Sequence, residues 1–353
     1  MRKSVVVILV AALLLVVWPV HAQDGDGEAD TDLTRAEMID LVITAYDNLR
    51  AAQYYSFEIN QTQEQVVGSG VGLRRATLHT ESVISDASGQ VQLDPSGELV
   101  ASELSMTQTT ITYVQDQDRN ALDIALTLEL ILLDGTLYMQ VTEVSGEIHE
   151  TALEDIGNED RMDEVLATFP TGWVNMSESP ETMQGYLSYL TDGEEIPLLE
   201  GLNLEALTEI GTTPALTPEM FVAISEGEST ADTYIFNVEL DASMYYEAMG
   251  LSAVIDDETL AGDATSMLEQ LFAGMTISQE ITLTITENSV LPERVETAIL
   301  VDVSFSEEAT DGVPLDLTME TDSTLTYSSI GNEFEITAPE TGSPEAAETE
   351  ASN

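Results

Sequence analysis

Leu122, Ile124, Leu126, Leu128, Leu130 and Leu132 occupy every second position of the chain. Leu137, Met139 and Val141 resume the spacing just beyond Asp134-Gly135. Successive side chains of a strand point to opposite faces, so each run predicts one apolar and one polar face. Asp-Gly is a favoured filling for a two-residue hairpin turn. With that pair as the turn, Leu132 faces Leu137, Leu130 faces Met139 and Leu128 faces Val141. Directly opposed residues share a face. The two runs agree on one register, and a slip by one residue would move every leucine to the wrong side.

The same alternation recurs on both sides of a different middle region. Before it come Tyr55, Phe57 and Ile59, an extended stretch over 74–84, and a Thr- and Val-rich stretch over 100–114. After it come Tyr234, Phe236, Val238 and Leu240, then Ile281, Leu283 and Ile285, then Val295, Ile299, Val301, Val303 and Phe305. Leu315, Leu317, Met319, Leu325 and Tyr327 follow. The intervening positions are Thr, Ser, Glu and Asp, as in an antiparallel meander with one wet face. Ahead of the first strand, Thr34 and Glu37 form a capping-box pair. Met38, Leu41, Val42, Ala45, Tyr46 and Leu49 then recur at helical spacing, which predicts a helix lying on the sheet. The middle region, about 150–227, reads as a helical insertion. Short helices are expected at 161–169, 179–190, 204–210 and 218–224, with two more at 243–249 and 257–275.

The ends read differently. Arg2 and Lys3, an apolar run over 5–17 and Val20-His21-Ala22 supply the three parts of a signal peptide. Residues 1–22 are therefore expected to leave on export, making the mature chain extracytoplasmic with no stable membrane span. Residues 23–32 read as an acidic linker. Their alternating acids lack the distal glutamate of a calcium loop. Residues 33–338 form the folded domain, and 339–353 an Ala-, Glu- and Ser-rich disordered tail.

Composition narrows the partners. Nine basic residues face 66 acidic ones, a net charge of −57, and Arg2 and Lys3 leave with the leader. A surface of this sign repels phosphate backbones, so nucleic acid is excluded as a partner. The acids read as a solvated coat, and abundant Asp and Glu without lysine suits a salt-rich medium. The chain has no cysteine, so no disulfide, thiol nucleophile or thiolate metal site is available.

Three phrases carry a family resemblance. AYDNLRAAQYYSFEI spans 45–59, LLDGTLYMQV spans 132–141 with GWVNM following at 172–176, and LPERVETAILVDV spans 291–303 with NEFEITAPE at 332–340. Together with the order of elements, they make the chain similar to the LolA-like superfamily, and particularly to its LppX/LprG-type members. The chain departs from the mycobacterial type in lacking a lipid-attachment cysteine, and its helical insertion is larger. The resemblance implies an α+β fold: a strongly curved antiparallel sheet, a half-barrel, with helices covering its concave face. It also implies carriage of a lipid or other apolar ligand in that concavity. Leu126, Leu128, Leu130, Leu132, Leu137, Met139, Val141 and Trp173 would line the site. The same side chains also suit a filled core under a permanent lid, which would make the chain a structural or interaction module of the cell envelope. A monomer is expected in either case.

Catalytic chemistry finds little footing. His79 and His149 are the only histidines outside the leader. No G-x-S-x-G elbow, phosphate-cradling Gly-rich loop or credible triad is present. Glu194-Glu195 and Asp256-Asp257 are carboxylate pairs of a kind that chance supplies among so many acids. Neither an enzyme nor a metal or organic cofactor is expected. Arg74 and Arg75 suit pairing with nearby carboxylates. Asn60-Gln61-Thr62 and Asn175-Met176-Ser177 match the N-glycosylation acceptor pattern.

Overall fold

The computed structural model describes residues 33–69, 76–114, 120–148, 172–175, 215–230, 232–241, 244, 275–305 and 315–341. The first element is helix α1 (Arg35–Ala52), started by the predicted capping box. The Thr34 hydroxyl accepts from the Glu37 N–H, and the Glu37 carboxylate accepts from the Thr34 N–H at 2.8 Å. Met38, Ile39, Val42, Ala45 and Leu49 form its buried stripe. Gln53 then turns the chain out of the helix in a left-handed conformation.

Five strands follow as a meander: β1 (Tyr54–Ser69), β2 (Ala76–Leu93), β3 (Leu99–Val114), β4 (Asn120–Leu133) and β5 (Thr136–Ile148). A two-residue strand, β6 (Val174–Asn175), pairs with β5. A single 3-10 turn (Pro218–Met220) leads into a second meander. Its strands are β7 (Phe221–Glu226), β8 (Thr233–Leu240), β9 (Met275–Thr286), β10 (Leu291–Phe305) and β11 (Leu315–Ser328). All eleven form one sheet in the order β6-β5-β4-β3-β2-β1-β11-β10-β9-β8-β7. The first and last long strands thus lie side by side at its middle, in antiparallel register from Ser56↔Ser328 to Ser69↔Leu315.

The hairpin register is the one alternation demands: Leu128↔Val141, Leu130↔Met139 and Leu132↔Leu137. Asp134 and Gly135 both have positive φ, 51° and 74°, the signature of a type I′ turn whose twist matches the strands it joins. On β2, Gly89 is fixed by crowding. A Cβ there would sit 2.2 Å from the Glu103 carbonyl oxygen and 2.5 Å from the Phe57 ring.

Two expectations are corrected. The sheet is open and neither closed nor strongly curled, so it is not a half-barrel. Alternation specifies which face is buried and is silent on curvature, which depends on bulges, glycine kinks and strand stagger. Nor do helices line a concave face among the described residues; one α-helix and one 3-10 turn accompany the sheet. The second correction concerns 218–224, where the helix gives way to β7 after one turn. Phe221-Val222-Ala223-Ile224 is a short apolar run with two β-branched residues, which periodicity cannot assign and strand pairing decides. The expected helices at 161–169, 179–190 and 204–210 lie outside the described residues, as do nearly all of 243–249 and 257–275. The leader, the linker and residues beyond 341 lie outside them too. No helix among the described residues is long and apolar enough to cross a membrane.

The main core forms where α1 crosses one end of the sheet. Met38, Ile39, Val42, Ala45 and Leu49 pack with Tyr55, Val91, Phe236, Leu283, Ile285, Val295 and Tyr327. Two polar contacts fix the helix there. Arg35 donates to the Phe221 carbonyl at 2.7 Å, and Asn48 to the Val290 carbonyl at 3.0 Å. An 18-residue helix is about 27 Å long, whereas a 16-residue strand such as β1 runs about 50 Å. One helix can therefore cover only one end.

Truncation of Leu49, fully buried on α1, should cost about 2–5 kcal/mol as Leu49→Ala, read as a lower urea midpoint at unchanged slope. The cap adds a pH signature. Hydrogen bonds from the Thr34 side chain and backbone hold the Glu37 carboxyl below its ordinary 4.5. A depressed folded-state pKa contributes stability that is present above the unfolded value and lost as pH falls through the folded one. Thr34→Ala should therefore destabilise at neutral pH, and its deficit should narrow on acidification below pH 4.5. A deficit independent of pH would show that the Glu37 bond contributes nothing.

Candidate functional site

The face that carries α1 is the inner face, and the register connects it across the sheet. Tyr55 lies opposite Val91, Val91 opposite Ser102, Ser102 opposite Leu132, and Leu132 opposite Leu137. The predicted leucines of β4 and β5 therefore share the face of the main core. Leu132 and Val141 are buried, whereas Leu126, Leu128, Leu130, Leu137 and Met139 are half-buried. Trp173 is half-buried immediately before β6, whose Val174 pairs with Met139. The structure gathers these positions on one region of the sheet. It does not supply the half-barrel concavity that was expected to house an apolar ligand, because the sheet is open.

The inner face has three zones along its length. The first is the core under α1. The second is a polar belt at mid-sheet. Gln61 and Gln63 of β1, Thr297 of β10 and Thr321 of β11 are buried, Gln61 to 5% exposure and Thr321 to 3%. They adjoin one another in register: Gln61 faces Ser323, Ser323 faces Thr297, and Gln63 faces Thr321. The belt continues through Ser82, opposite Gln63, to Thr110, opposite Ser82. Gln108 donates to the Ser82 hydroxyl at 2.9 Å, and the Ser82 and Thr110 hydroxyls lie 3.3 Å apart. The Gln63 amide nitrogen reaches the Met319 sulfur at 2.7 Å. The third zone is apolar again, with buried Val67, Val301, Val303, Leu317 and Met319.

Sequence periodicity did not single out the belt, although its signal was present. The apolar series on β1 stops at Ile59, that on β10 skips Thr297, and that on β11 skips Thr321 and Ser323. Each gap read singly is noise. The register turns them into one feature.

The outer face is polar and acidic. Glu64 of β1 faces Glu81 of β2 on one side and Glu320 of β11 on the other. In the next row Thr62 faces Asp322. His79 Nε2 lies 3.9 Å from a Glu64 carboxylate oxygen, and Arg294 bonds Glu296 at 2.5 Å. Like charges directly opposed across strands destabilise a sheet. Val66, Val83 and Leu300 lie exposed on the same face. Among the described residues no group of three or more His, Asp or Glu side chains is placed to hold a metal ion. His149, Arg74, Arg75, Glu194, Glu195, Asp256 and Asp257 lie outside the described residues.

No protein-family model matches the chain, and no curated protein matches it. Among solved structures the chain is weakly similar to a LolA superfamily protein from Nitrosomonas europaea. The two are 9% identical over 82% of this chain and 91% of that one, with a TM-score of 0.16. The translocator domain of the autotransporter NalP from Neisseria meningitidis is 7% identical over 82% of this chain and 95% of its own, with a TM-score of 0.12. The outer membrane protein OprG from Pseudomonas aeruginosa is 7% identical over 79% and 98%, with a TM-score of 0.13. None of the three superposes well enough to carry an argument about role.

Glu64→Gln removes the central charge of the carboxylate row. It should stabilise the protein by about 0.2–1 kcal/mol at low ionic strength. The gain should shrink as salt shortens the screening length from about 30 Å at 0.01 M to about 3 Å at 1 M. Chemical denaturation of both proteins across that range checks it. A gain unaffected by salt would mean that repulsion is not its source.

Proposed function

We propose that the chain is an exported, non-catalytic structural or interaction module of the cell envelope, with a filled core and no resident apolar ligand. One observation carries the reading: a continuous open sheet whose inner face is crossed by a buried belt of amides and hydroxyls. An acyl chain laid along that face would cross Gln61, Gln63, Thr297 and Thr321. Each would lose hydrogen bonds against hydrocarbon at roughly 1–3 kcal/mol per unsatisfied group. The belt thus disfavours the long apolar track that a carrier needs. Leu126, Leu128, Leu130, Leu132, Leu137, Met139, Val141 and Trp173 then serve as packing surface. The leader motif supports export into an extracytoplasmic space, and the acidic surface supports solubility there. The LppX/LprG-type likeness enters as a family resemblance of the envelope kind, without the carrier's task.

Native mass spectrometry of the full chain, secreted with its own leader and purified without detergent, tests this. The expected result is a monomer at the mass of residues 23–353 plus any covalent modification, with no acyl lipid bound and no uptake of a fluorescent fatty acid. Stoichiometric co-purifying lipid would overturn the reading. An unprocessed leader would overturn the export half of it.

A further inference from the structure

Asn60-Gln61-Thr62 sits in the middle of β1. Alternation places Asn60 and Thr62 on the outer face, where both are exposed, while Gln61 between them turns inward and is 5% exposed. Asn60 also lies where the β1–β2 ladder is irregular. Ile59 faces Ala87 and Gln61 faces Ile84, so Asn60 alone stands opposite Ser85 and Asp86. Asp86 takes a φ of 53°, and the β2–β3 register shifts over the same residues. A bulge disrupts the ladder locally and re-aims nearby side chains. On the other side Asn60 pairs with Thr324, a half-buried residue with a small side chain.

We infer that Asn60 is an N-glycan acceptor and that its glycan stands on the outer face of the sheet. The substrate class is an oligosaccharide carried on a polyprenyl diphosphate. The Asn60 amide nitrogen forms a bond to the anomeric carbon of the sugar. The bond from that carbon to the diphosphate oxygen breaks, the diphosphate leaves with the electron pair, and the amide gives up one proton to solvent. Transfer precedes folding, because in the folded sheet β1 is clamped between β2 and β11 and Gln61 is buried. The folded product tolerates the glycan, because the acceptor and its Thr62 point away from the core. Asn175 differs: it is half-buried on the short strand β6, in register with Tyr138.

The inference rests on the export reading, and one experiment separates the two. The full chain is produced with its own leader in a eukaryotic secretory host, then analysed by intact mass and peptide mapping before and after peptide-N-glycosidase. The expected result is a processed leader and a glycosidase-sensitive mass increment on the peptide holding Asn60. N60Q and T62A should lose that increment, T62S should keep it, and N175Q should leave the Asn60 peptide modified. A processed leader with an unmodified Asn60 peptide overturns the glycan inference and leaves export standing. An unprocessed leader with no glycan overturns both.

Discussion

The pairing of β1 with β11 is the constraint on which the molecule depends. Without it there would be two meanders, each ending in a long strand with one open edge. With it they become one sheet, and the two most sequence-distant long strands form its centre. Gln63 and Met319, in contact there, are 256 residues apart in the chain. Loop-closure entropy grows only slowly with length, so such a seam is thermodynamically tolerable. Its penalty is kinetic, since contacts of high sequence separation form late and slow folding. The seam also makes the main core possible. Tyr55 of β1 and Tyr327 of β11 stack edge to face at 5.7 Å under α1, beside Val295 of β10. One helix thereby buries residues from both ends of the chain.

The polar belt takes its meaning from the same seam. A sheet this long with a uniformly greasy face would be prone to register slips, because every shift by two residues would restore apolar contact. A belt of Gln61, Gln63, Thr297, Thr321 and Ser323 ends that degeneracy. Displacing β11 by two residues would move a hydroxyl under apolar neighbours and strand buried hydrogen-bonding groups, which is costly. The belt therefore acts as a ruler across β1, β10 and β11. It also separates two apolar zones that would otherwise merge into a continuous trough.

Much of the local architecture was legible in the sequence, for identifiable reasons. Asp134-Gly135 between two alternating runs determined turn type and register together. Thr34 and Glu37 marked the helix start, and Met38, Val42, Ala45 and Leu49 its buried stripe. The union of the meanders was not legible, because alternation on β1 and β11 states which residues face inward but not which strand is the neighbour. Curvature was hidden for a similar reason, and the half-barrel that the resemblance implied is absent. The Phe221-Val222-Ala223-Ile224 run was misread because four apolar residues fit either element. The leucines of β4 share one face with Leu137, Met139 and Val141 of β5, as alternation requires, yet a shared face is not a cavity. The belt was visible only as gaps at positions 61, 297 and 321, and gaps acquire significance only when the register aligns them.

The outer face couples the protein to its surroundings. Beyond Lys3 the chain has arginine alone as a permanent cation to offset its acids, and the register sets Glu81, Glu64 and Glu320 side by side. A sheet can avoid such repulsion by alternating charge across strands; this one leaves that row unalternated and sets a hydroxyl beside a carboxylate only in neighbouring rows, as at Thr62–Asp322 and Asp302–Thr318. Hydroxyls dilute charge without cancelling it, so the residual repulsion is left to the solvent. Screening by salt lowers it everywhere on the face at once, whereas substitution lowers it at one position. The folded state is thus tied to the ionic strength of the space it occupies. That tie follows from composition and register together, since the same acids spaced apart on loops would repel far less.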